Sequence, residues 1–248
     1  MTLLGYFLAL VIGLSLGVLG GGGSILTIPV LHYVMGYSVR EAVPMSLVVV
    51  GFTSAIGAVG HWQKGNVQFR TALAFGIPAI VGAVFGADLG PRVADGIRLT
   101  IFAAVMLAAA VSMMRASPEP APGAARPRIP GVTLIGAVTG FLTGFVGVGG
   151  GFIYVPVLTL LGGLPVRQAI GTSLLLIVLS CIGGIARYLG HPELDSLDWP
   201  VVALFTAIAL VGVMVGSRIA SRVSQAGLRK GFAVFLLVLG LVVLLVRP

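Results

Sequence analysis

Apolar residues run along this chain in long stretches that are separated by short polar connections. Leu, Val, Ala and Gly dominate the stretches, and most approach the roughly 20 residues with which a helix crosses a bilayer. Strands of a membrane barrel would instead alternate apolar and polar residues in pieces of roughly ten. The pattern therefore predicts an all-α polytopic membrane protein. The predicted stretches are 3–19, 24–35, 42–60, 69–89 and 97–114 in the first half, and 131–146, 152–161, 168–186, 199–219 and 229–246 in the second.

The second stretch of each half is short, and a run of glycines precedes it. The number of spans depends on this stretch. Each half has four spans if its first two stretches form one interrupted element, and five if the short stretch crosses on a tilt. An even count gives two parallel halves, whereas an odd count gives two inverted ones.

The two halves are copies of one unit. The glycine pattern of 13–22 recurs at 140–149, an offset of 127 residues. Such an internal repeat predicts two homologous structural units. The same alignment pairs Pro29 with Pro156, 39–42 with 166–169, Ser46-Leu47 with Ser173-Leu174 and, with small gaps, Gln68-Phe69 with Asp198-Trp199 and Gly82-xxx-Gly86 with Gly212-xxx-Gly216.

A linker separates the two copies. Residues 115–130 read RASPEPAPGAARPRIP, and this content of proline and charge cannot form a membrane span. We therefore divide the chain into a first transmembrane repeat at 1–114, the linker at 115–130 and a second transmembrane repeat at 131–248.

Composition excludes most soluble classes. Of the 248 residues, 58% are hydrophobic and 9% are charged, whereas soluble domains have about 25% charged residues. The net charge of +8 sits in short connections and not in a cluster with aromatics, so nucleic acid is not a predicted partner. The single cysteine, Cys181, excludes an intrachain disulfide.

The distribution of the basic residues favours inverted halves. In that arrangement ten basic residues share the side of the linker and five share the other, whereas parallel halves give eight against seven. Because cytoplasmic loops are rich in Lys and Arg, the linker is predicted to be cytoplasmic. The ten are Lys64, Arg70, Arg115, Arg126, Arg128, Arg167, Arg218, Arg222, Arg229 and Lys230, and the five are Arg40, Arg92, Arg98, Arg187 and Arg247.

The glycine runs predict helix breaks that face a substrate. Lipid does not tolerate exposed broken backbone, so the breaks should face protein or a water-filled cavity. Ser24 is predicted to cap the short helix that follows, whose free N–H groups would attract an anion. Close helix packing by small residues is the alternative. The candidate residues are Gly20, Gly21, Gly22, Gly23 and Ser24 in the first half, and Gly147, Gly149, Gly150 and Gly151 in the second.

These motifs resemble those of the TauE/SafE sulfite exporter family, also called the TSUP family of membrane transporters. The matching segments are GGGGSILTIPV at 20–30, GVGGGFIYVPV at 147–157, AIGTSL at 169–174 and the duplicated G-xxx-G. The resemblance covers both halves and the linker. It implies a transporter of sulfite, organosulfonates or other small sulfur-containing anions, or of carboxylates in some members.

Three hydroxyls and one arginine are further candidates for contact with the anion. Ser46, Thr172 and Ser173 begin the third stretch of each half, where they can either donate to an anion or bond their own helix. Arg187 ends that stretch in the second half. Its guanidinium fits an oxyanion in fork geometry, or it extends to the membrane interface.

Two titratable residues are candidates for coupling. His61 ends the third stretch of the first half, where imidazole can relay protons or lie in an interfacial belt beside Trp62. Asp88 lies late in the fourth stretch. Coupling to H⁺ or Na⁺ stays open, as does assembly into a homo-oligomer.

Other function classes fit the sequence less well. Gly13-Leu-Ser15-Leu-Gly17 matches G-x-S-x-G, but a catalytic serine of that kind needs a strand–turn–helix elbow and this one lies in a helical run. We therefore predict no enzyme, no cofactor and no metal site. An anion channel is the second alternative, although channels favour rings of charges or carbonyls from several subunits.

The sequence therefore predicts a multi-pass transporter in a bacterial plasma membrane. The family resemblance implies that it carries small sulfur-containing anions, and we expect it to act as an exporter by alternating access around a site between the two repeats. Its predicted partners are the anion and the lipid bilayer.

Overall fold

The computed structural model describes residues 2–115, 129–146, 151–188 and 197–245. Within these ranges the chain is helical apart from short turns, and no β-strand occurs there, so the all-α prediction is confirmed. The helices are α1 Thr2–Leu19, α2 Ser24–Pro29, α3 Val39–Gln63, α4 Phe69–Leu89, α5 Asp95–Arg115, α6 Ile129–Val146, α7 Gly151–Leu160, α8 Val166–Tyr188, α9 Trp199–Arg222 and α10 Gln225–Leu245.

Among the described residues, six helices are long and apolar enough to cross a membrane. These are α3, α4, α5, α8, α9 and α10, which come from the third to fifth stretches of each half. The apolar parts of α1 and α6 are shorter, and α2 and α7 are shorter still. The protein is thus a multi-pass membrane protein whose first two helices in each half differ from the rest.

In the first half, α1 and α2 form a hairpin. A 3₁₀ turn at Gly21–Gly23 joins them, and a π turn at Val30–Val34 follows Pro29. Because Pro29 lacks an N–H, the regular helical hydrogen-bond pattern cannot continue through it, and this wide turn follows. Gly5 then lies beside Met35, so the chain returns to the level at which α1 began.

Two helix pairs with extensive interfaces, α1 with α9 and α4 with α6, touch directly through backbone atoms at small residues. A Cβ on Gly13 would overlap the backbone of Ala209, so α1 and α9 touch without intervening side chains. A Cβ on Gly140 would likewise overlap Ala79, where α6 meets α4. The small residues of the G-xxx-G motifs at Gly13/Gly17 and Gly140/Gly144 therefore let these helices pack closely.

The third helices of the two halves pack against each other in opposite directions. Leu47 in α3 contacts Gly184 in α8, whereas Gly57 contacts Leu174. Opposite directions of equivalent helices are what an inverted repeat requires. The inversion of the halves across the bilayer, the linker's side and the repeat boundaries stay predictions. Residues 116–128 of the linker lie outside the described residues.

A hydrogen bond ties the first hairpin to the second half. The Tyr37 hydroxyl donates to Asp198 Oδ2 over 2.9 Å, and Asp198 Oδ1 accepts from the Val201 N–H at the start of α9. Partial burial and this bond raise the pKa of Tyr37 to about 12. The tyrosine therefore stays a donor throughout the physiological pH range.

We expect Tyr37→Phe to lower the apparent melting temperature of the purified protein slightly. The loss should correspond to about 0.5 kcal/mol, because a solvent-exposed hydrogen bond contributes at the low end of the usual range. Thermal unfolding in detergent measures the change. Tyr33→Phe is the matched control, since Tyr33 is 78% exposed, and an equal loss in both variants would contradict the role of the Tyr37–Asp198 bond.

Candidate functional site

A cavity of about 470 Å³ lies between helices of both halves. It extends from Ser24 and Gly151, at the starts of α2 and α7, toward the end of the bundle where α3 begins and where α4 and α8 end. It reaches the protein surface there, since Ala87 and Gly183 are exposed. Its lining includes Ser24, Val43, Ser46, Leu47, Ala83, Ala87, Thr143, Gly151, Tyr154, Ser180, Cys181, Gly183 and Gly184.

The two glycine-rich segments meet at the inner end of this cavity. A Cβ on Gly21 would overlap the Gly151 carbonyl group, so the two backbones are in direct contact. A Cβ on Gly151 would lie 2.7 Å from Ser24 Oγ. The starts of α2 and α7 are thus side by side. Gly147, Gly149 and Gly150 lie outside the described residues.

Gly20 has a backbone that favours glycine. Its φ is +72°, in the region that side chains disfavour, and a Cβ there would lie 2.7 Å from Ser173 Oγ. All four residues from Gly20 to Gly23 are buried. The predicted break is therefore real, and it is enclosed by protein, with Ser24 as the first residue after it that lines the cavity.

Ser24 differs from its predicted role as a helix cap. It is the first residue of α2, and its hydroxyl donates backward to the Gly21 carbonyl over 2.7 Å. Gly23 takes the capping position, without a side-chain hydrogen bond. The prediction is wrong because the 3₁₀ turn continues directly into α2 with helical backbone angles, which leaves no extended residue to act as a cap.

The hydroxyls in the cavity donate to their own helices. Ser46 Oγ donates to the Val43 carbonyl over 2.7 Å, and Thr143 Oγ1 donates to the Gly140 carbonyl over 2.8 Å. Such bonds satisfy a hydroxyl inside an apolar helix. Each hydroxyl would have to rotate away from its own helix in order to donate to an anion.

Tyr154 and Ser180 form a linked pair across two helices. Ser180 Oγ donates to the Leu176 carbonyl over 2.9 Å and lies 3.2 Å from the Tyr154 hydroxyl. The tyrosine is therefore the donor between them. Within the described part of the chain, no charged side chain lines the cavity.

The structure brings together only some of the predicted site residues. Ser24, Ser46 and Gly151 share the cavity, whereas Thr172 and Ser173 do not line it. Thr172 Oγ1 accepts from the Gln68 N–H over 3.1 Å, and Ser173 Oγ donates to the Ile170 carbonyl over 2.8 Å beside Gly20.

Two of the titratable candidates, His61 and Asp88, do not line this cavity. His61 is 6% exposed, whereas its neighbour Trp62 is 57% exposed, so the histidine side chain is enclosed by protein. Asp88 is exposed, one residue before the end of α4. Arg187 belongs to the last turn of α8, and its side chain lies outside the description.

Sequence reasoning missed several lining residues, among them Thr143, Tyr154, Ser180 and Cys181. Tyr154 has a signal, because it is the one aromatic with a polar end in GVGGGFIYVPV. The others have the ordinary appearance of small polar residues in a span. Only the packing of α6 and α8 against α3 and α4 shows that they share a cavity.

Helices that span a membrane, with a cavity at the contact of two broken helices, define a multi-pass membrane transporter. Residues 6–243 match the family model for the sulfite exporter TauE/SafE. The chain belongs to this family, and the family resemblance of its motifs is confirmed.

Named relatives agree with this class. The chain is 32% identical to a "Probable membrane transporter protein" of Xylella fastidiosa (strain 9a5c), over 87% of this chain and 83% of the relative. It is 28% identical to "Probable membrane transporter protein MJ0441" of Methanocaldococcus jannaschii, over 96% of this chain and 95% of the relative. Both comparisons extend through the two halves.

Proposed function

We propose that this protein exports small sulfur-containing anions, such as sulfite or organosulfonates, by alternating access. The cavity at the contact between Gly21 and Gly151 is the observation that carries the proposal. The choice of sulfur-containing anions follows the family description, and the cavity agrees with a small substrate because its volume is about 470 Å³.

The site would hold an anion by dipoles and hydroxyls. The starts of α2 and α7 lie side by side at the inner end of the cavity, where the positive ends of the helix dipoles would favour negative charge. Ser46, Thr143 and Tyr154 are close enough to the same space to redirect their hydroxyls. Weak, neutral donors suit a carrier, because its substrate must leave as well as bind.

The membrane potential would favour export. The free energy of one elementary charge changes by about 2.3 kcal/mol when it crosses 100 mV. For an anion that leaves a negative interior, the free energy falls by this amount. Export therefore needs no coupled ion in principle. H⁺ or Na⁺ coupling would appear as a dependence of efflux on the corresponding gradient.

Two measurements test the proposal together. Thermal shift of the purified protein should show stabilisation by sulfite, thiosulfate, sulfoacetate or taurine, and less by plain carboxylates. Counterflow in vesicles should then concentrate labelled substrate against excess unlabelled substrate, which a channel cannot do. Stabilisation by carboxylates alone would contradict the sulfur substrate, and transport without counterflow would indicate a channel.

Ser46→Ala should raise the KM for the substrate about fivefold to tenfold, with little change in the amount of inserted protein. The hydroxyl lines the cavity, and one neutral hydrogen bond contributes about 1 kcal/mol. Ser221→Ala is the matched control, since Ser221 makes the same type of bond to the Arg218 carbonyl outside the cavity. An unchanged KM in Ser46→Ala would remove this hydroxyl from the site.

A further inference from the structure

A row of polar and small residues follows one face of α3 beyond the cavity. Ser54, Gly57 and His61 are separated by three and four residues, so they share a face of the helix. The offset of 127 residues pairs Ser54 with Cys181 and Gly57 with Gly184. Because Cys181 and Gly184 line the cavity, the row on α3 is the counterpart of a cavity wall.

Three side chains on α2 and α3, two helices that contact each other, are buried without hydrogen-bond partners among the described residues. They are Thr27, Ser54 and His61, with both ring nitrogens of the histidine unpartnered. Thr27 and Ser54 are fully buried, and His61 is 6% exposed. Thr27 is the counterpart of Tyr154 at the same offset. Buried polar atoms are normally paired, so three unpartnered groups on these two helices require an explanation.

The hydroxyls of Thr27 and Ser54 do not donate to carbonyl groups of their own helices, as other hydroxyls in these helices do. Thr53, the neighbour of Ser54, donates to the Val49 carbonyl over 2.7 Å. Ser46, Thr143 and Ser173 also donate to carbonyls of their own helices. Thr27 and Ser54 therefore have hydroxyls that remain available for another partner.

The region is closed by side chains that approach from two helices. A Cβ on Gly57 would lie 3.1 Å from Leu174 Cδ1 and 3.3 Å from Val213 Cγ1. At the equivalent Gly184, the three nearest atoms all belong to Leu47, and Ala83, the counterpart of Val213, lines the open cavity. α9 thus lies against α3 where the corresponding α4 leaves space beside α8.

We propose that Thr27, Ser54 and His61 line a second anion-binding cavity, which is closed in this conformation by Val213 and Leu174 at Gly57. It opens toward the opposite face of the membrane when the first cavity closes. The ligand is a small oxyanion, since hydroxyl and imidazole N–H groups donate to its oxygens. The proposal rests on the proposed function for the identity of this ligand, and not for the existence of the second cavity.

Cysteine labelling from each side of the membrane tests the proposal without any substrate. Native Cys181 is the chain's single cysteine and reports on the first cavity. Ser54→Cys in a Cys181→Ser background reports on the second. Right-side-out and inverted vesicles are treated with a membrane-impermeant maleimide. We expect Cys181 to react from one side and Ser54→Cys to react, more slowly, from the other.

One glycine variant shifts the balance between the conformations. Gly57→Leu crowds Leu174 and Val213, so it should disfavour the present conformation and lower the labelling rate of Cys181 about tenfold or more. It should raise the labelling of Ser54→Cys. Gly60→Leu is the control on the same helix, because nothing lies within 4 Å of a Cβ at Gly60.

Each outcome decides one question. Reaction of Ser54→Cys from the same side as Cys181, or from neither side, would overturn the second cavity even if sulfite is transported. Opposite sidedness without transport of any sulfur-containing anion would support the cavity and overturn the proposed substrate. Should Gly57→Leu fail to insert, the sidedness of the two cysteines still decides the proposal.

Discussion

Gly21→Ala should abolish transport while the protein still inserts into the membrane. A Cβ at this position would overlap the carbonyl group of Gly151, so the two broken segments would have to separate. Neither segment can yield locally, because the obstacle is backbone and not the end of a flexible side chain. The cavity has its inner end at this contact, and a small displacement of binding groups can reduce turnover by orders of magnitude.

Gly22→Ala is the informative partner of this variant. A Cβ at Gly22 would lie 3.1 Å from the ring edge of Phe235 and 3.4 Å from Leu19 Cβ, and the ring can shift by a few tenths of an ångström. We expect it to retain much of the activity. Counterflow in vesicles with matched protein amounts measures both. Activity of Gly21→Ala close to that of Gly22→Ala would show that the contact is not the substrate site.

Gly140→Leu should prevent the protein from folding stably. Its side chain would enter the backbone of Ala79 in α4, and adjacent contacts at Gly136 and Gly144 allow no tilt of α6 that relieves the overlap. Overpacking of a well-packed core typically destabilises by about 1–3 kcal/mol, and a leucine against backbone should exceed the upper end. In a bilayer this close packing is a main source of helix association.

Gly131→Leu provides the control for that prediction. Gly131 lies near the start of the same helix, and nothing is within 4 Å of a Cβ there. Size-exclusion profiles and thermal unfolding in detergent should show aggregated or absent protein for Gly140→Leu and normal protein for Gly131→Leu. Normal melting of Gly140→Leu would mean that α4 and α6 are not in backbone contact.

The helix positions could be predicted from the sequence with small errors at the ends. Apolar runs indicate where helices lie in a bilayer. The first residue of a helix is harder to predict when the first turn of that helix is polar. α3 begins at Val39 and not at 42, because Ser38 and Glu41 form a reciprocal capping box. α10 begins at Gln225 and not at 229, because Gln225 and Gly227 in its first turn made residues 225–228 look like part of the connection.

The composition of the site could be predicted only in part. Glycine runs are recognisable in a sequence, and they do mark the inner end of the cavity. Ser46 and Ser173 looked equivalent because they align in the repeat. Since α3 and α8 run in opposite directions, aligned residues lie at opposite ends of that helix pair, and a single cavity includes one of them. The relative direction of α3 and α8 is a property of the tertiary structure, and the sequence of one half alone does not determine it.

The two kinds of helix contact in this protein differ in stiffness. α1 with α9, and α4 with α6, touch through backbone atoms. The two helices of each pair cannot slide past each other without steric overlap, so each pair moves as one rigid body. α3 and α8 meet through the ends of leucine side chains and Cys181, which can change rotamer and let the helices shift past each other. A shear motion in which α3 and α8 slide past each other, while the two rigid helix pairs keep their internal packing, is therefore the conformational change with the lowest steric cost.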